Sequence, residues 1–142
     1  MGTDDFDALD RELIEAATEV IRRNRRDGRH SVGAAVRCAS GKVYVGLDVE
    51  TTAYGPCAEP VAIGAAVSHG ERAFVSIVAV GLREGKAAVL PPCGNCRQLL
   101  IDYAPDSTVI LPEGAKLVKR KARDLLLLPY RRFESDSPGN AG

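Results

Sequence analysis

Three cysteines in two separated motifs constrain this chain more than any other feature of its sequence. Cys93 and Cys96 form a C-x-x-C pair, and Cys57 supplies a third thiol from a distant stretch. Three thiolates around a tetrahedral Zn²⁺ leave one coordination position open to water, which is the arrangement of a catalytic zinc site. The pattern therefore predicts a fold that brings these two stretches together around one Zn²⁺.

A carboxylate stands close to the first of these cysteines. Glu59 lies two residues after Cys57, where its side chain can reach a water on the metal without ligating the metal. A metal-activated water beside a carboxylate that carries protons is the apparatus of hydrolytic deamination. We therefore assign Cys57, Cys93 and Cys96 as metal ligands and Glu59 as the catalytic residue.

Two other uses of these cysteines are open at this point. A C-x-x-C pair can be a redox-active pair of thiols. A structural zinc site is also possible, but it would need a fourth ligand, for which Cys38, His30 and His69 are the candidates. Neither alternative explains Glu59 or the proline before Cys93, so the catalytic interpretation is favoured.

The composition restricts the class of protein and its partners. The chain has 142 residues, of which 45% are hydrophobic and 27% charged, and we assign residues 1–133 to a single globular domain. Lys+Arg and Asp+Glu are 19 each, and this zero net charge predicts no nucleic-acid partner. The segment 134–142 is built from Ser, Pro, Gly, Asn and similar residues, which predicts a disordered tail.

The start of the chain and its cysteines bear on location. Residues 1–7 are acidic and lack the basic and apolar regions of a secretion signal, and no apolar run is long enough to span a membrane. Four cysteines, three of them assigned to zinc, suit a reducing compartment better than a disulfide framework. We expect a cytoplasmic protein without a membrane segment.

Hydrophobic periodicity predicts an alternation of helices and strands. Apolar residues recur at helical spacing over 4–26, and two β-prone runs at 31–38 and 42–49 flank a turn, as in a hairpin. Further on, the patterns predict a helix at 57–68, a strand at 74–80, a loop at 81–90, a helix from Cys93 to 103, a strand at 108–111 and a helix at 125–128. This order predicts an α/β sandwich with a mixed sheet. Cys57 and the Cys93 pair then open two helices, whose N-termini favour thiolate.

From 31 to 129 the sequence resembles the cytidine deaminase and blasticidin S deaminase family. The resemblance is carried by Val-Gly-Ala-Ala at 32–35, Gly-Leu-Asp-Val-Glu at 46–50, the two zinc motifs, and Asp-Leu-Leu at 124–126. It implies a three-layer α/β/α sandwich with a five-stranded mixed sheet, and usually a homotetramer. It also implies that Glu59 shuttles protons and that the backbone N–H of Ala58 holds the pyrimidine O2.

The sugar pocket departs from the pattern of cytidine deaminases. Those enzymes typically have Asn and Glu to hold ribose hydroxyls, whereas this chain has Asp48 and Glu50. His30 stands where a Phe commonly flanks the sugar, and Pro60 replaces an Arg that bonds the thiolates in many three-Cys relatives. We assign Asp48, Glu50, Ala58 and His30 to substrate binding.

Three hypotheses of function follow. The first is the deamination of cytidine or deoxycytidine. The second is the deamination of another amino-heterocycle, such as blasticidin S or a free base. The third is a zinc-stabilised binding protein without turnover, which Glu59 argues against because a purely structural site gains nothing from an unliganded carboxylate.

Overall fold

The computed structural model describes residues 5–133, so the tail predicted at 134–142 lies outside the described residues. Helices cover both faces of one six-stranded sheet. The helices are α1 (Ala8–Asn24), α2 (Ala58–Ser68) and α3 (Gly94–Tyr103), followed by a 3-10 helix at Ala122–Leu125. The strands are β1 (Val32–Cys38), β2 (Val43–Leu47), β3 (Phe74–Arg83), β4 (Lys86–Leu90), β5 (Thr108–Glu113) and β6 (Lys116–Lys121).

The sheet is mixed, with the strand order β2-β1-β3-β5-β6. β3 and β5 are parallel, and the other paired strands are antiparallel. Two strands pair along the same edge of β3: residues 76–78 of β3 pair with β5, and residues 79–83 pair with β4. The predicted three-layer α/β/α sandwich is confirmed, with six strands instead of the expected five.

The extra strand corrects the loop expected at 81–90. β3 continues to Arg83, and β4 returns beside it after a two-residue turn at Glu84 and Gly85. Both turn residues have positive φ, 53° and 78°, the conformation of a type I′ hairpin turn. Glutamate seldom adopts it, so Gly85 is the one residue of this turn whose type indicates it.

The helix expected at 125–128 is also wrong. The structure has β6 and then the 3-10 helix, which ends at Leu125. Leu127 and Leu128 are 89% and 90% exposed, so their apolar run reflects no buried helical face. A four-residue apolar run before Pro129 is too short to distinguish a helix from an irregular segment.

Alternation along the strands divides the core between the two faces. On one face α1 packs through Leu13 and Ala17 against a cluster that includes Val78. On the other face α2 packs, through residues that include Ile63, against a cluster that includes Ile77. Because successive strand residues point to opposite faces, adjacent residues of β3 serve different layers. Within 5–133, no helix is long and apolar enough to cross a bilayer.

A glycine sets how closely α2 approaches the sheet. A Cβ placed on Gly46 of β2 would lie 2.6 Å from the backbone nitrogen of Ala62 in α2. The helix backbone therefore rests directly on the strand. This approach places the first turn of α2 beside the end of β2, where Asp48 lies.

We expect Gly46→Ala to destabilise the protein by about 1–3 kcal/mol, the usual cost of overpacking a tight contact. Gly64→Ala is the matched control, because Gly64 lies on the exposed side of α2 and no heavy atom stands within 4 Å of the place that its Cβ would take. This control should be neutral or stabilise the helix by up to about 1 kcal/mol. Urea unfolding of both variants measures the difference, and equal stabilities would refute the close-approach role of Gly46.

Candidate metal centre and active site

Two helices begin with a cysteine at the same point in space. Cys57 is the N-cap residue of α2 and Cys93 is the N-cap residue of α3, while Cys96 lies in the first turn of α3. The N-cap position usually holds a Ser, Thr, Asp or Asn that bonds the free N–H groups of the first turn. Neither cysteine makes such a side-chain cap, so both thiols are left to serve as metal ligands.

The three thiols match the geometry of a zinc site. The Sγ of Cys93 lies 3.5 Å from that of Cys57 and 3.4 Å from that of Cys96, and all three lie within 4.8 Å of one another. Tetrahedral Zn²⁺ with Zn–S bonds of about 2.3 Å requires neighbouring sulfurs roughly 3.8 Å apart. The residues present therefore fit zinc, and Cys57, Cys93 and Cys96 are positioned to bind it.

The pKa values of the three thiols are shifted in different directions. Burial alone would raise the pKa of Cys93, but hydrogen bonds from the backbone N–H groups of Cys96 and Asn95 and from two thiols outweigh it, and the net pKa is lowered. Burial raises the pKa of the Cys57 and Cys96 thiols. The exposed N-cap of α3 is thus where the protein itself favours thiolate, as expected at a helix N-terminus.

Glu59 lies in the first turn of α2 and is only 6% exposed. Burial raises the pKa of its carboxyl, although its own backbone N–H and the Cys96 thiol act in the opposite direction. A buried carboxyl with a raised pKa can hold and release a proton nearer neutral pH. The predicted catalytic residue therefore lies beside the thiols with the properties of a proton carrier.

A cavity of about 240 Å³ opens over the thiols and Glu59. It is lined by Ser31, Val32, Asp48, Cys57, Ala58, Glu59, Ala79, Leu90, Pro91 and Cys93. The chain therefore brings a mostly apolar wall, a metal-binding cluster and a few polar groups around one space, which is the usual composition of a small-molecule site.

The residues predicted to bind substrate lie at different places around this cavity. Asp48 and Ala58 belong to its lining, whereas Glu50 and His30 do not. Glu50 is exposed and its Oε2 accepts a hydrogen bond from the Ser31 hydroxyl at 3.3 Å. His30 is half-buried, and its Nδ1 accepts from the backbone N–H of Arg26 at 3.1 Å.

Ser31 is the polar cavity residue that the sequence analysis missed. Its hydroxyl and backbone N–H both donate to Asp48, 17 residues away along the chain. The apolar contributors Ala79 and Leu90 were missed as well, because they reach the cavity through the β3–β4 hairpin. A serine just before a strand has no local feature that marks it, and only the β1–β2 pairing brings it beside Asp48.

The alternative fourth ligands lie elsewhere. Cys38 is buried in the core at the far end of β1, and the six residue steps from Val32 at the cavity correspond to about 20 Å. His69 follows the C-terminus of α2, about 16 Å from the first turn at 1.5 Å per residue. Among the described residues, the group able to hold a metal contains only the three predicted cysteines. The closed structural site and the two-thiol redox pair both fit this geometry less well than an open zinc site.

Comparisons with known proteins agree with this geometry. Residues 7–112 match the family model described as the cytidine and deoxycytidylate deaminase zinc-binding region. The chain is 40% identical to a blasticidin-S deaminase of Bacillus cereus over 93% of this chain and 99% of that protein. It is 39% identical to a cytidine deaminase of Halalkalibacterium halodurans over 58% of this chain and 61% of that protein. The crystal structure of a cytidine deaminase from Burkholderia pseudomallei superposes with a TM-score of 0.70 and 33% identity, covering 84% of this chain and 98% of that one.

We expect the purified protein to contain one zinc per chain. Cys57→Ala, Cys93→Ala and Cys96→Ala should each lose the metal and unfold more easily, because zinc binding and folding are coupled. Cys38→Ala is the matched control: it removes a buried thiol outside the cluster and should leave the zinc content unchanged. Metal analysis by mass spectrometry measures the content, and loss of zinc from the Cys38 variant would show that the site is not open.

Proposed function

Because the chain belongs to the cytidine and deoxycytidylate deaminase family and is a zinc-dependent aminohydrolase, we propose that it deaminates a cytosine nucleoside. The products are the uracil nucleoside, uridine or deoxyuridine, and ammonia. The observation that carries this proposal is the buried carboxyl of Glu59 beside three thiols at the base of one cavity. A zinc-stabilised binding protein would have no use for a buried carboxyl at that point.

Zinc, when bound, supplies Lewis-acid activation of a water at the coordination position that the three cysteines leave open. Glu59 would take one proton from the attacking water and pass it to the ring nitrogen, as the oxygen bonds to the ring carbon that bears the amine. It would then take the remaining proton of that oxygen and give it to the departing amine, so that the carbon–nitrogen bond breaks, a carbonyl forms and ammonia leaves. Its burial excludes bulk water from these transfers.

The backbone of α2 orients the base in this proposal. Ala58 is the first residue of the helix, is fully buried and lines the cavity. The first N–H groups of a helix have no partner within the helix. The Ala58 N–H is therefore free to donate to the pyrimidine O2, which holds the amine-bearing carbon towards Glu59.

The sugar lies towards Glu50 and His30 at the outer side of the cavity. Glu50 is exposed, so its carboxylate can accept a hydrogen bond from a ribose hydroxyl without a new burial cost. The hydrogen bond from Arg26 to His30 Nδ1 fixes the imidazole ring, which we place against the sugar. His30 precedes Ser31 and Glu50 lies two residues after Asp48, and both Ser31 and Asp48 line the cavity.

A second candidate substrate is blasticidin S. The relative from Bacillus cereus, 40% identical over nearly the whole length of both chains, carries the name blasticidin-S deaminase. The zinc ligands and Glu59 would perform the same chemistry on this or another amino-heterocycle, including free cytosine. Substrate choice then depends on the outer side of the cavity, not on the metal centre.

We further propose a homotetramer in a reducing compartment, the cytoplasm. Exposed apolar side chains such as Tyr54, Val75 and Tyr103, between 48% and 72% exposed, are available for contacts between subunits. The three thiols must remain reduced to bind zinc. Light scattering coupled to size-exclusion chromatography measures the mass, and a monomer at micromolar concentration would refute the tetramer.

Glu59→Gln should keep zinc but lower kcat by about 10²–10⁴-fold, the contribution of a positioned acid–base group. A glutamine is nearly isosteric but carries no proton between the water and the substrate. Glu19→Gln, an exposed position on α1, is the control and should leave kcat unchanged. Ammonia release and zinc content are measured together, and substantial turnover by a zinc-replete Glu59 variant would contradict the mechanism.

A substrate panel separates the two candidate substrates. Cytidine, deoxycytidine, cytosine and blasticidin S are assayed by ultraviolet absorbance and ammonia release. For a nucleoside deaminase, Glu50→Gln should lower kcat/KM for cytidine roughly 5–30-fold relative to kcat/KM for cytosine, because only the nucleoside offers a hydroxyl. This factor corresponds to the loss of about 1–2 kcal/mol from one hydrogen bond. An unchanged ratio would mean that Glu50 does not contact the sugar, and preferential turnover of blasticidin S would favour the second substrate.

A further inference from the structure

Asp48 is a buried carboxylate that accepts hydrogen bonds from one short segment and lies beside the Glu50 side chain, which also lowers its pKa. It is 7% exposed and lines the cavity. Its Oδ1 accepts from the backbone N–H groups of Ser31 and Val32, at 2.9 and 3.0 Å, and its Oδ2 accepts from the Ser31 hydroxyl at 3.0 Å. Burial opposes ionisation of Asp48, but these N–H donors outweigh it and lower its pKa.

These contacts limit what the Ser31 hydroxyl can do. A hydroxyl has one hydrogen and two oxygen lone pairs. Ser31 Oγ faces two carboxylates, Asp48 at 3.0 Å and Glu50 at 3.3 Å, and each of them can only accept when ionised. The single hydrogen is therefore directed to a carboxylate, and the oxygen lone pairs are what Ser31 can offer to a ligand.

We propose that Asp48 is a positioning residue that acts through Ser31, holding its hydroxyl so that this wall of the cavity accepts hydrogen bonds and donates none. This inference rests on the proposed nucleoside substrate and defines how its sugar is recognised. A wall made only of acceptors favours a sugar that presents a donor, such as a hydroxyl. It disfavours a group that can only accept, because two acceptors face each other without a hydrogen.

Asp48→Asn is the informative substitution because it changes the direction of one hydrogen bond with little change of shape. The remaining carbonyl oxygen can still accept from the two backbone N–H groups. The new NH₂ donates towards Ser31 Oγ and occupies one of its lone pairs. The hydroxyl hydrogen then turns to Glu50, and Ser31 Oγ has one lone pair fewer to offer a ligand, so the wall loses an acceptor.

Pairs of uncharged substrates that differ in one hydroxyl can measure the change in the hydrogen-bonding character of this wall, because both members of a pair have the same net charge. The 2′, 3′ and 5′ hydroxyls of cytidine are replaced one at a time by fluorine, which is similar in size but cannot donate. In the wild type we expect kcat/KM to favour the hydroxyl by about tenfold or more at one of these positions, the effect of one hydrogen bond to a polar site. Asp48→Asn should reduce that preference by about five- to tenfold.

A double-mutant cycle with Ser31→Ala tests whether Asp48 acts through the hydroxyl. If it does, Asp48→Asn has almost no further effect on the hydroxyl-to-fluorine preference once Ser31 is alanine. Asp27→Asn is the matched control, since the Asp27 side chain is 94% exposed, and it should keep the wild-type preference. An equal effect of Asp48→Asn in both backgrounds, or none in either, would overturn the proposal.

A second measurement separates failure of this inference from failure of the proposed function. Hydrogen exchange of the Ser31 and Val32 amides reports their bonds to Asp48 without any substrate. Asp48→Ala should speed exchange of both amides by about tenfold or more, whereas Asp48→Asn should not. Suppose that the protein turns over no cytosine nucleoside. If the exchange rates still differ as expected, only the proposed function is refuted. If the wild type, Asp48→Ala and Asp48→Asn exchange alike, the proposed function and the role of Asp48 are both refuted.

Discussion

The meeting of two helix N-termini at one point is the constraint on which the rest of this structure depends. α2 and α3 lie on the same face of the sheet and begin with Cys57 and Cys93. Their first-turn N–H groups lack partners within the helices and favour negative charge beside them. Of the two N-cap thiols, burial raises the pKa of Cys57 and hydrogen bonds lower the pKa of Cys93, and both are positioned as metal ligands. The site is thus part of how both helices begin, and zinc binding is expected to stabilise the surrounding fold.

Arg97 and Lys86, the cations that the sequence offers near the thiols, have other partners or positions. Pro60 lies in the first turn of α2, where its missing N–H costs no helical hydrogen bond. Arg97, one of the two cations, donates instead to the backbone carbonyls of Pro92 and Leu125, at 2.8 and 2.9 Å. It therefore ties the Cys93 loop to the 3-10 helix. Lys86 begins β4, four residue steps or about 13 Å from Leu90 at the cavity. Zinc, when bound, is then the largest positive charge beside the thiols, and the helix N-termini add to it.

The substrate side of the cavity is built on different principles from the metal side. Ligand type and spacing suffice to identify the cysteines and Glu59, because few other residues can bind zinc or carry protons. The positions of the residues around the open side of the cavity are determined by packing and by hydrogen bonds between strands. Asp48 and Ser31 illustrate this: the Asp48 N–H donates to the Val32 carbonyl at 3.2 Å as the β1–β2 pairing ends, and that register brings the two side chains together. A slip of one residue would turn Asp48 to the other face of the sheet.

From the sequence alone, the layered α/β fold and the three-cysteine metal cluster could be predicted, and Glu59 was expected beside that cluster. Hydrophobic periodicity is a local property, and metal ligation depends on residue type, so neither needs knowledge of distant contacts. The β3–β4 hairpin, the close approach of α2 at Gly46, and the hydrogen bonds from Ser31 to Asp48 were decided only by the tertiary structure. Each of these joins residues through a turn of unusual φ, a backbone contact or a strand register. The contact at Gly46 and the Ser31–Asp48 hydrogen bonds join residues that are distant in sequence. The hairpin is local, but it depends on a positive φ at Glu84 that the residue type does not predict.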